Sequence, residues 1–532
     1  MWHIKNHLFV LFVICLFFTM SLNAQLPQIK WWYDTHDSSF GQSAAADIDN
    51  DGKFEIVFGC YRNDSCVYAL NAENGTLLWK YNTHPAGAEG CNDVAPIIYD
   101  VDDDDTLEVI VPSSCNAKTF CFKGLDGSVK WQTPTAGSDS PPTIADIDND
   151  GKPEILHGGF DGKVICINAE NGSIAWQQTV YQNSWVQTAP TVLDVDGNGQ
   201  LDFVVATWAF GTDTSKVYAF RGDNHSLIWS KPMADVMYHG TAVADFDKDN
   251  KPELVIGTYD GKLYMLNAED GSEVWNFQAN YYIGAPAVIA DLNNNGICEI
   301  IYCDAWGVGA LTALGSPLWY YTIPGYGTAF RGVAVSCINE DNIPDVAFGT
   351  SKGQVIVLNG NNGTEIWNLD LAAHYGDTLE FDHAPLIADF DNNDTLDIFI
   401  VGGFTEYPNF SANYGRAYMI SAGIGNGPDW LMFQHDVRRQ SSLCEFIPSA
   451  IPDAKITHQN LTIYPNPAKD KFYFNTDNKI EMIKIFNALG KLVISEHHYS
   501  NEGIDVQNLD KGLYFVQIYF NNILYNCKFI KE

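Results

Sequence analysis

The sequence predicts an all-β chain built from repeated four-stranded units, followed by a smaller β region. Three observations predict it. An acidic nine-residue loop recurs eight times, a tryptophan recurs at the end of the repeats, and residues 461–532 switch to a different β-rich pattern. The loop is best read at Asp146-Ile147-Asp148-Asn149-Asp150-Gly151-Lys152-Pro153-Glu154, and its other copies begin at Asp47, Asp100, Asp194, Asp245, Asp291, Cys337 and Asp389. From Asp47 to Asp389 there are seven steps of about 49 residues each, and a fixed period of that size marks a repeat architecture.

Acids at positions 1, 3, 5 and 9 of a loop that turns through glycine near position 6 converge on one point. Carboxylates crowded in this way suit a hard cation, and calcium takes such oxygen-only shells. Asp47, Asp49, Asp51 and Glu55 fit fully, as do Asp146, Asp148, Asp150 and Glu154, and Asp245, Asp247, Asp249 and Glu253. Asp100, Asp102, Asp104 and Glu108 keep every acid, with Asp105 in place of the glycine. Asp194, Asp196, Asn198 and Asp202 use an amide oxygen at the third place, and so do Asp389, Asp391, Asn393 and Asp397. Two copies are degraded: Asp291, Asn293, Asn295 and Glu299 carry fewer charges, and Cys337, Asn339, Asp341 and Asp345 lose the first carboxylate. The expected cofactor is therefore Ca2+, about one ion per well-formed repeat.

Each repeat reads as four strands. Pro142-Thr143-Ile144-Ala145 leads into the loop, Glu154-Ile155-Leu156 and Lys163-Val164-Ile165-Cys166-Ile167 flank a Gly-rich turn, and a last strand ends at Trp176. Short β-rich runs punctuated by Gly, Asn and Asp, with no helical period, indicate all-β structure. Trp79, Trp131, Trp176, Trp229, Trp275, Trp319 and Trp367 mark seven such ends. Trp31 and Trp32 stand 16 and 15 residues before Asp47, within the 15 to 22 residues that separate the others from the next loop. Ile29 to Tyr33 is therefore expected to supply the outer strand of the last unit, although Trp430 competes for that slot. Closure of this kind leaves no exposed strand edge, and the expected fold is an eight-bladed β-propeller over residues 25–440.

The remaining bounds are coarser. With 30 Lys+Arg against 66 Asp+Glu the net charge is −36, which argues against nucleic acid as a partner. Residues 1–24 read as a signal peptide, with Lys5 before the apolar run Leu8 to Met20, and no later stretch is long and apolar enough to span a membrane. Cys60 with Cys66, and Cys115 with Cys121, have equal spacing in consecutive repeats and are expected to form disulfides, while Cys298 and Cys303 are left unpaired. Residues 441–460 read as a linker, and 461–532 as a small β-sandwich.

The Asp-rich loops resemble FG-GAP/VCBS-type propeller repeats. Val67-Tyr68-Ala69-Leu70-Asn71-Ala72-Glu73-Asn74-Gly75-Thr76-Leu77-Leu78-Trp79 and Lys262 to Trp275 are similar to the tryptophan docking motif of PQQ-type repeats. That resemblance implies architecture and not the quinone, since the adjacent-cysteine pair of PQQ alcohol dehydrogenases is absent. Ile463-Tyr464-Pro465-Asn466-Pro467, the segment Ile483 to Val493, Lys511-Gly512-Leu513-Tyr514-Phe515-Val516 and the ending Lys528-Phe529-Ile530-Lys531-Glu532 resemble the type A C-terminal sorting domain of the type IX secretion system. The resemblance implies the type IX machinery as a partner and passage through the periplasm to the outer surface of a Gram-negative bacterium, where the tail is removed.

No nucleophile elbow, Walker loop, dinucleotide fingerprint or zinc spacing is present. His383 beside Asp382, and His239 beside Tyr238, are the candidate acid/base pairs. On the face opposite the acidic loops, Trp185, Trp208, Tyr238, His239, Tyr282, Trp306, Tyr326, Arg331, His383 and Tyr407 are expected to bind a ligand. Aromatics beside polar groups suit sugar rings or peptides. The resulting expectation is a non-enzymatic binding or adhesion module for an extracellular glycan or protein, and the alternative is a lyase-like enzyme acting on polysaccharide.

Overall fold

The computed structural model describes residues 26–444, except 85–89 and 340, and residues 463–474, 482–487, 492–497, 503–507, 509, 511–520 and 523–531. The expected signal peptide lies outside the described residues. The chain divides into two units, Met1–Ala450 and Ile451–Glu532.

The first unit is an eight-bladed propeller of four-stranded antiparallel sheets. Blade 1 is Ser43–Ala46, Glu55–Gly59, Cys66–Asn71 and Leu77–Asn82, from the innermost strand outward. Blades 2 to 7 repeat this order, with innermost strands at Ile97–Tyr99, Thr143–Ala145, Thr191–Leu193, Ala242–Ala244, Val288–Ala290 and Ala334–Ser336. Blade 8 joins Leu386–Ala388, Leu396–Phe404 and Tyr414–Gly423 to Gln28–Thr35 from the other end of the chain. The inner strands are buried on both faces, as in Glu253–Gly257, whereas outer strands such as Glu273–Gln278 alternate with solvent. Continuous Val, Ile and Leu runs inside and alternating residues outside follow from that difference.

The recurring tryptophans lock neighbouring blades. The indole N–H of Trp31 donates to the Ala72 carbonyl at 2.8 Å, Trp131 to Ala169 at 2.8 Å and Trp229 to Ala268 at 2.7 Å. Each ring lies on a turn glycine of the next blade. Gly75 has φ of 71°, and a Cβ there would meet the Trp31 ring at 2.5 Å. Blade 4 has His225 at that place, and its ring packs on Trp176 with centroids 4.2 Å apart. Trp367 faces blade 8, whose third and fourth strands come from opposite ends of the chain and so share no turn. Its buried Nε1 has no hydrogen-bond partner among the described residues.

A strap at 425–444 completes the ring from inside, a feature that follows no repeat. Its backbone meets blade 7 at Cys337–Gly427, blade 8 at Ile387–Trp430, blade 1 at Ala45–Leu431 and blade 3 at Ile144–Val437. It continues to blade 4 at Val192–Arg438, blade 5 at Val243–Gln440 and blade 6 at Ile289–Ser441. Buried Arg439 reaches the Pro96 and Pro142 carbonyls of the intervening blades 2 and 3. Trp430, the rival for the outer slot, is thus buried within the ring. The strap runs on through 441–444, where a linker was expected to begin.

The expected disulfides are not formed. Cys60, Cys66 and Cys121 are free thiols, and the bonds are Cys91–Cys115 and Cys298–Cys444. Lys118 pairs with Ser113 and Cys121 with Ile110, so Cys115 lies in the turn while Cys121 stands within the strand. Cys60 and Cys66 do stand opposite one another, with the Cys60 N–H donating to the Cys66 carbonyl, and hydrogen-bonded pairs hold their Cβ atoms farther apart than a disulfide prefers. The Cys66 thiol donates instead to the Asp64 carbonyl at 3.3 Å.

The second unit has a three-stranded sheet (Ile463–Tyr464, Lys471–Phe474, Ile504–Asp505) and a four-stranded one (Leu492–His497, Met482–Asn487, Gly512–Phe520, Ile523–Lys531). Phe472, Ile483, Ile485, Val516, Ile518 and Phe529 form their shared core.

The docking bonds generate a paired prediction. Trp229→Phe removes a buried hydrogen bond and destabilises by about 1–3 kcal/mol more than Trp367→Phe, because an orphaned carbonyl pays its desolvation cost. Urea denaturation of the two variants measures the difference, and equal losses would contradict this account of the docking.

Candidate functional site

The acidic loops join the first and second strands of each blade. In blade 1 the Asp51 and Gly52 N–H groups donate to Asp47 at 3.1 and 3.0 Å, and blades 3 and 5 repeat this around Asp146 and Asp245. The acid at position 9 opens the buried second strand. One oxygen of Glu55 accepts from the Ile48 N–H at 2.9 Å, Glu154 from Ile147 at 3.1 Å and Glu253 from Phe246 at 2.9 Å. Ligand atoms of positions 1, 3 and 9 lie within 4.8 Å of one another in Asp47/Asp49/Glu55, Asp100/Asp102/Glu108, Asp146/Asp148/Glu154, Asp194/Asp196/Asp202 and Asp245/Asp247/Glu253. These clusters can hold metal ions. Position 5 has a different task in the fold. Asp51, Asp104, Asp150, Asn198, Asp249 and Asn393 each accept from the backbone N–H two residues on, which an amide oxygen does as well as a carboxylate.

Burial, opposed by the Ile48 N–H and reinforced by Asp49, Asp51 and Asp47, pushes the Glu55 carboxyl up to about 8. The same causes raise Glu154 and Glu253 to about 7. Oε1 of Glu55 is buried with no partner among the described residues, so the loop has an acceptor waiting for a cation.

Other blades fill this need from the chain itself. A β-bulge before each docking tryptophan turns out the preceding residue, and bulges re-aim side chains in this way. In blade 2 that residue is Lys130, whose Nζ lies 2.6 Å from Asp102 and 2.9 Å from Glu108. In blade 8 it is Lys30, 2.5 Å from Asp391 and 2.8 Å from Asp397. The other six blades have Leu78, Ala175, Ile228, Val274, Leu318 and Ile366 there. In blade 4, Asp202 accepts from the Val195 and Gly222 N–H groups while Arg221 pairs with Asp196 at 2.5 Å. In blade 6, Asn293 donates to Glu299 at 2.8 Å.

The opposite face carries the connections between blades and the loops between second and third strands. Its aromatics form a run from blade 3 to blade 7. Trp185 meets Phe160 and Phe210 at 5.0 Å, Trp208 meets Tyr259 at 5.0 Å and Tyr259 meets Tyr282 at 5.3 Å. Tyr281 meets Trp306 at 4.1 Å, Trp306 meets Tyr326 at 5.4 Å and Tyr238 meets Phe330 at 5.9 Å. Tyr326 is 69% exposed. Tyr407 stands apart on blade 8, 82% exposed and packed on Phe410.

His239, His383 and Arg331 are buried. Burial, with Arg331 nearby, presses His383 down to about 3 and holds His239 well below its ordinary value. His383 sits 3.0 Å from the Ser39 hydroxyl, while Arg331 lies over the Tyr238 ring and 3.4 Å from Nδ1 of His239. Burial thus favours the neutral form of both imidazoles. Asp93, Asp139 and Gln187, absent from the sequence reading, join Tyr238 and Arg331 at the ring centre. Counting seven residues back from each acidic loop would have found them.

Comparison with known proteins places this architecture. Residues 28–153, 150–281 and 213–426 match a PQQ-like repeat family described as outer membrane protein assembly factor BamB. The chain belongs to this PQQ-like propeller family. Residues 462–532 match the secretion system C-terminal sorting domain, which marks this PQQ-like propeller for type IX secretion to the cell surface or extracellular space. BamB of Yersinia pestis is 24% identical over 275 residues, 42% of this chain and 63% of that protein. Rhamnogalacturonan endolyase YesW of Bacillus subtilis is 22% identical over 261 residues, 44% of this chain and 40% of the enzyme. The chain thus spans less than two thirds of either relative. The solved structure of Sqt1 from Saccharomyces cerevisiae shares the fold, with a TM-score of 0.53 and 11% identity over 75% of this chain and all of that one. No helix among the described residues is long and apolar enough to cross a membrane.

Proposed function

We propose that this propeller is a non-enzymatic, calcium-stabilised binding module for an extracellular glycan or protein. The type IX machinery exports it to the outer surface of a Gram-negative bacterium, after a signal peptide at 1–24 has delivered it to the periplasm. The observation that carries the binding role is the aromatic run from Phe160 to Tyr326, which sets stacking surfaces on the face away from the acidic loops. The buried, neutral states of His239 and His383 support binding over acid/base catalysis. A lyase-like activity is the second reading, favoured by the 22% match to the rhamnogalacturonan endolyase. A glycan and protein array probed with the mature propeller tests the first reading, and cleavage of rhamnogalacturonan tests the second. Binding without cleavage is the expected result, and turnover would replace the first reading with the second.

The calcium sites are those of blades 1, 3 and 5, where positions 1, 3 and 9 converge and, among the described residues, no basic side chain pairs with those three positions. Because the ion binds only the folded state, saturating calcium adds about 2–4 kcal/mol per site. Chelation is expected to lower the melting temperature, and Asp148→Ala to lower it in calcium far more than Asp341→Ala. Equal, negligible effects would rule out this ranking.

Lys130→Leu, which gives blade 2 the apolar bulge residue of blades 1 and 3 to 7, is expected to add one bound calcium by equilibrium dialysis. An unchanged stoichiometry would show that the lysine is not what keeps the ion out.

A further inference from the structure

The aromatic face has a centre as well as a rim. One position recurs in the connections between blades, seven residues before each acidic loop. Blades 2, 3 and 4 place Asp93, Asp139 and Gln187 there, and blade 8 places Asp382. Blades 5 and 7 place Tyr238 and Phe330, whose rings lie 5.9 Å apart. Blade 6 has Gly284 between them, and a Cβ at that point would come within 3.1 Å of Phe330. Blade 1 has Phe40, whose ring packs on Tyr61.

These groups share one space. Gln187 donates to Asp139 at 3.2 Å. Asp139 interacts with Asp93, Arg331 and Tyr238, and Arg331 in turn with Asp93 and Asp382 across the ring. Burial and the charge of Asp93 push Asp139 up to about 7. The strap closes the space from below, with Phe433 against His239 at 5.8 Å and Gln434 donating to the Thr241 carbonyl at 3.3 Å. Asp93, Asp139, Asp382, Tyr238 and Phe330 are each half-buried, so polar groups and two aromatic rings line one basin on this face. Beside it, three polar atoms shielded from solvent have no partner among the described residues: Oε1 of Gln187, Nε of Arg331 and Nε2 of His239. Each is hydrogen-bonding capacity left open, and a buried group in that state costs stability until something answers it.

We propose that this basin binds an uncharged pyranose residue at the end of a glycan. Carboxylate and amide oxygens accept hydrogen bonds from sugar hydroxyls, while the rings of Tyr238 and Phe330 cover the apolar face of a pyranose. Three aspartates against one arginine disfavour an anionic sugar, because a further carboxylate would meet like charges where solvent screening is weak. The inference rests on the reading of this face as the binding surface, and it narrows that reading to one place and one class of ligand.

The test is calorimetric titration of the mature propeller with neutral tetrasaccharides (cello-, manno- and galacto-series) and with tetragalacturonate. At least one neutral tetrasaccharide is expected to bind, and tetragalacturonate to bind at least tenfold more weakly. Asp139→Asn is expected to weaken neutral binding at least tenfold without lowering the melting temperature, since it relieves crowding with Asp93. Phe330→Ala is the second variant, and Tyr326→Ala on the exposed rim is expected to retain binding. If Tyr326→Ala abolishes binding while Asp139→Asn and Phe330→Ala leave it intact, the ligand lies on the rim, and this proposal fails while the binding face stands. Tetragalacturonate binding as tightly as the neutral sugars would overturn the proposal. Absence of any glycan binding would overturn it too, leaving only a protein ligand for the face.

Discussion

Every blade buries a carboxylate at the start of its second strand, and the ring is built around answering that charge. Glu55, Glu108, Glu154, Asp202, Glu253, Glu299, Asp345 and Asp397 occupy this place, each no more than 5% exposed. In blades 1 to 7 one oxygen accepts the N–H of the residue seven positions earlier, which fixes the loop to the strand. The other oxygen needs a partner, because an unpaired buried charge costs several kcal/mol. Lys130, Lys30, the Gly222 N–H and Asn293 supply it in blades 2, 8, 4 and 6. Blade 7 has lost the first acid to Cys337, and burial with Asp341 nearby raises Asp345 to about 8, as burial raises Glu55; Oδ1 of Asp345 has no partner among the described residues. Blades 1, 3 and 5 keep the full acidic set, and we assign the ions to them.

Ring closure uses the same economy of local parts. The N-terminal strand brings both Trp31, which locks blade 8 to blade 1, and Lys30, which neutralises the blade 8 loop. One short segment thus closes the sheet and balances its charge. The strap then meets the innermost strands of seven blades through its backbone, with the Arg439 side chain reaching blade 2, so those seven inner edges are paired rather than open. Cys298–Cys444 ties the far end of the strap to blade 6.

What was legible in the sequence was what repeats. The acidic period, the tryptophan ends and the match of Trp31 to that series were enough to give eight blades and their closure. The strap at 425–444 was not legible, because it runs across the blades without any periodicity of its own. Cys298–Cys444 joins blade 6 to the strap, a proximity that exists only in the closed ring, and Cys91–Cys115 joins the connection entering blade 2 to a turn of that blade, so equal spacing along the chain misdirected the pairing. Lys30 and Lys130 were visible residues, but their meaning depends on the bulge that turns them toward the loop. The aromatic face was readable from loop positions, whereas the basin at its centre required the alignment of the connections between blades.

Anomalous diffraction from crystals grown in calcium and soaked with a lanthanide tests the central claim most directly, since it locates each ion by blade. The account predicts peaks among Asp47/Asp49/Glu55, Asp146/Asp148/Glu154 and Asp245/Asp247/Glu253, with Lys30 and Lys130 seated in their own loops. Peaks in blades 2 and 8 with those lysines swung away, or no peaks in blades 1, 3 and 5, would contradict it.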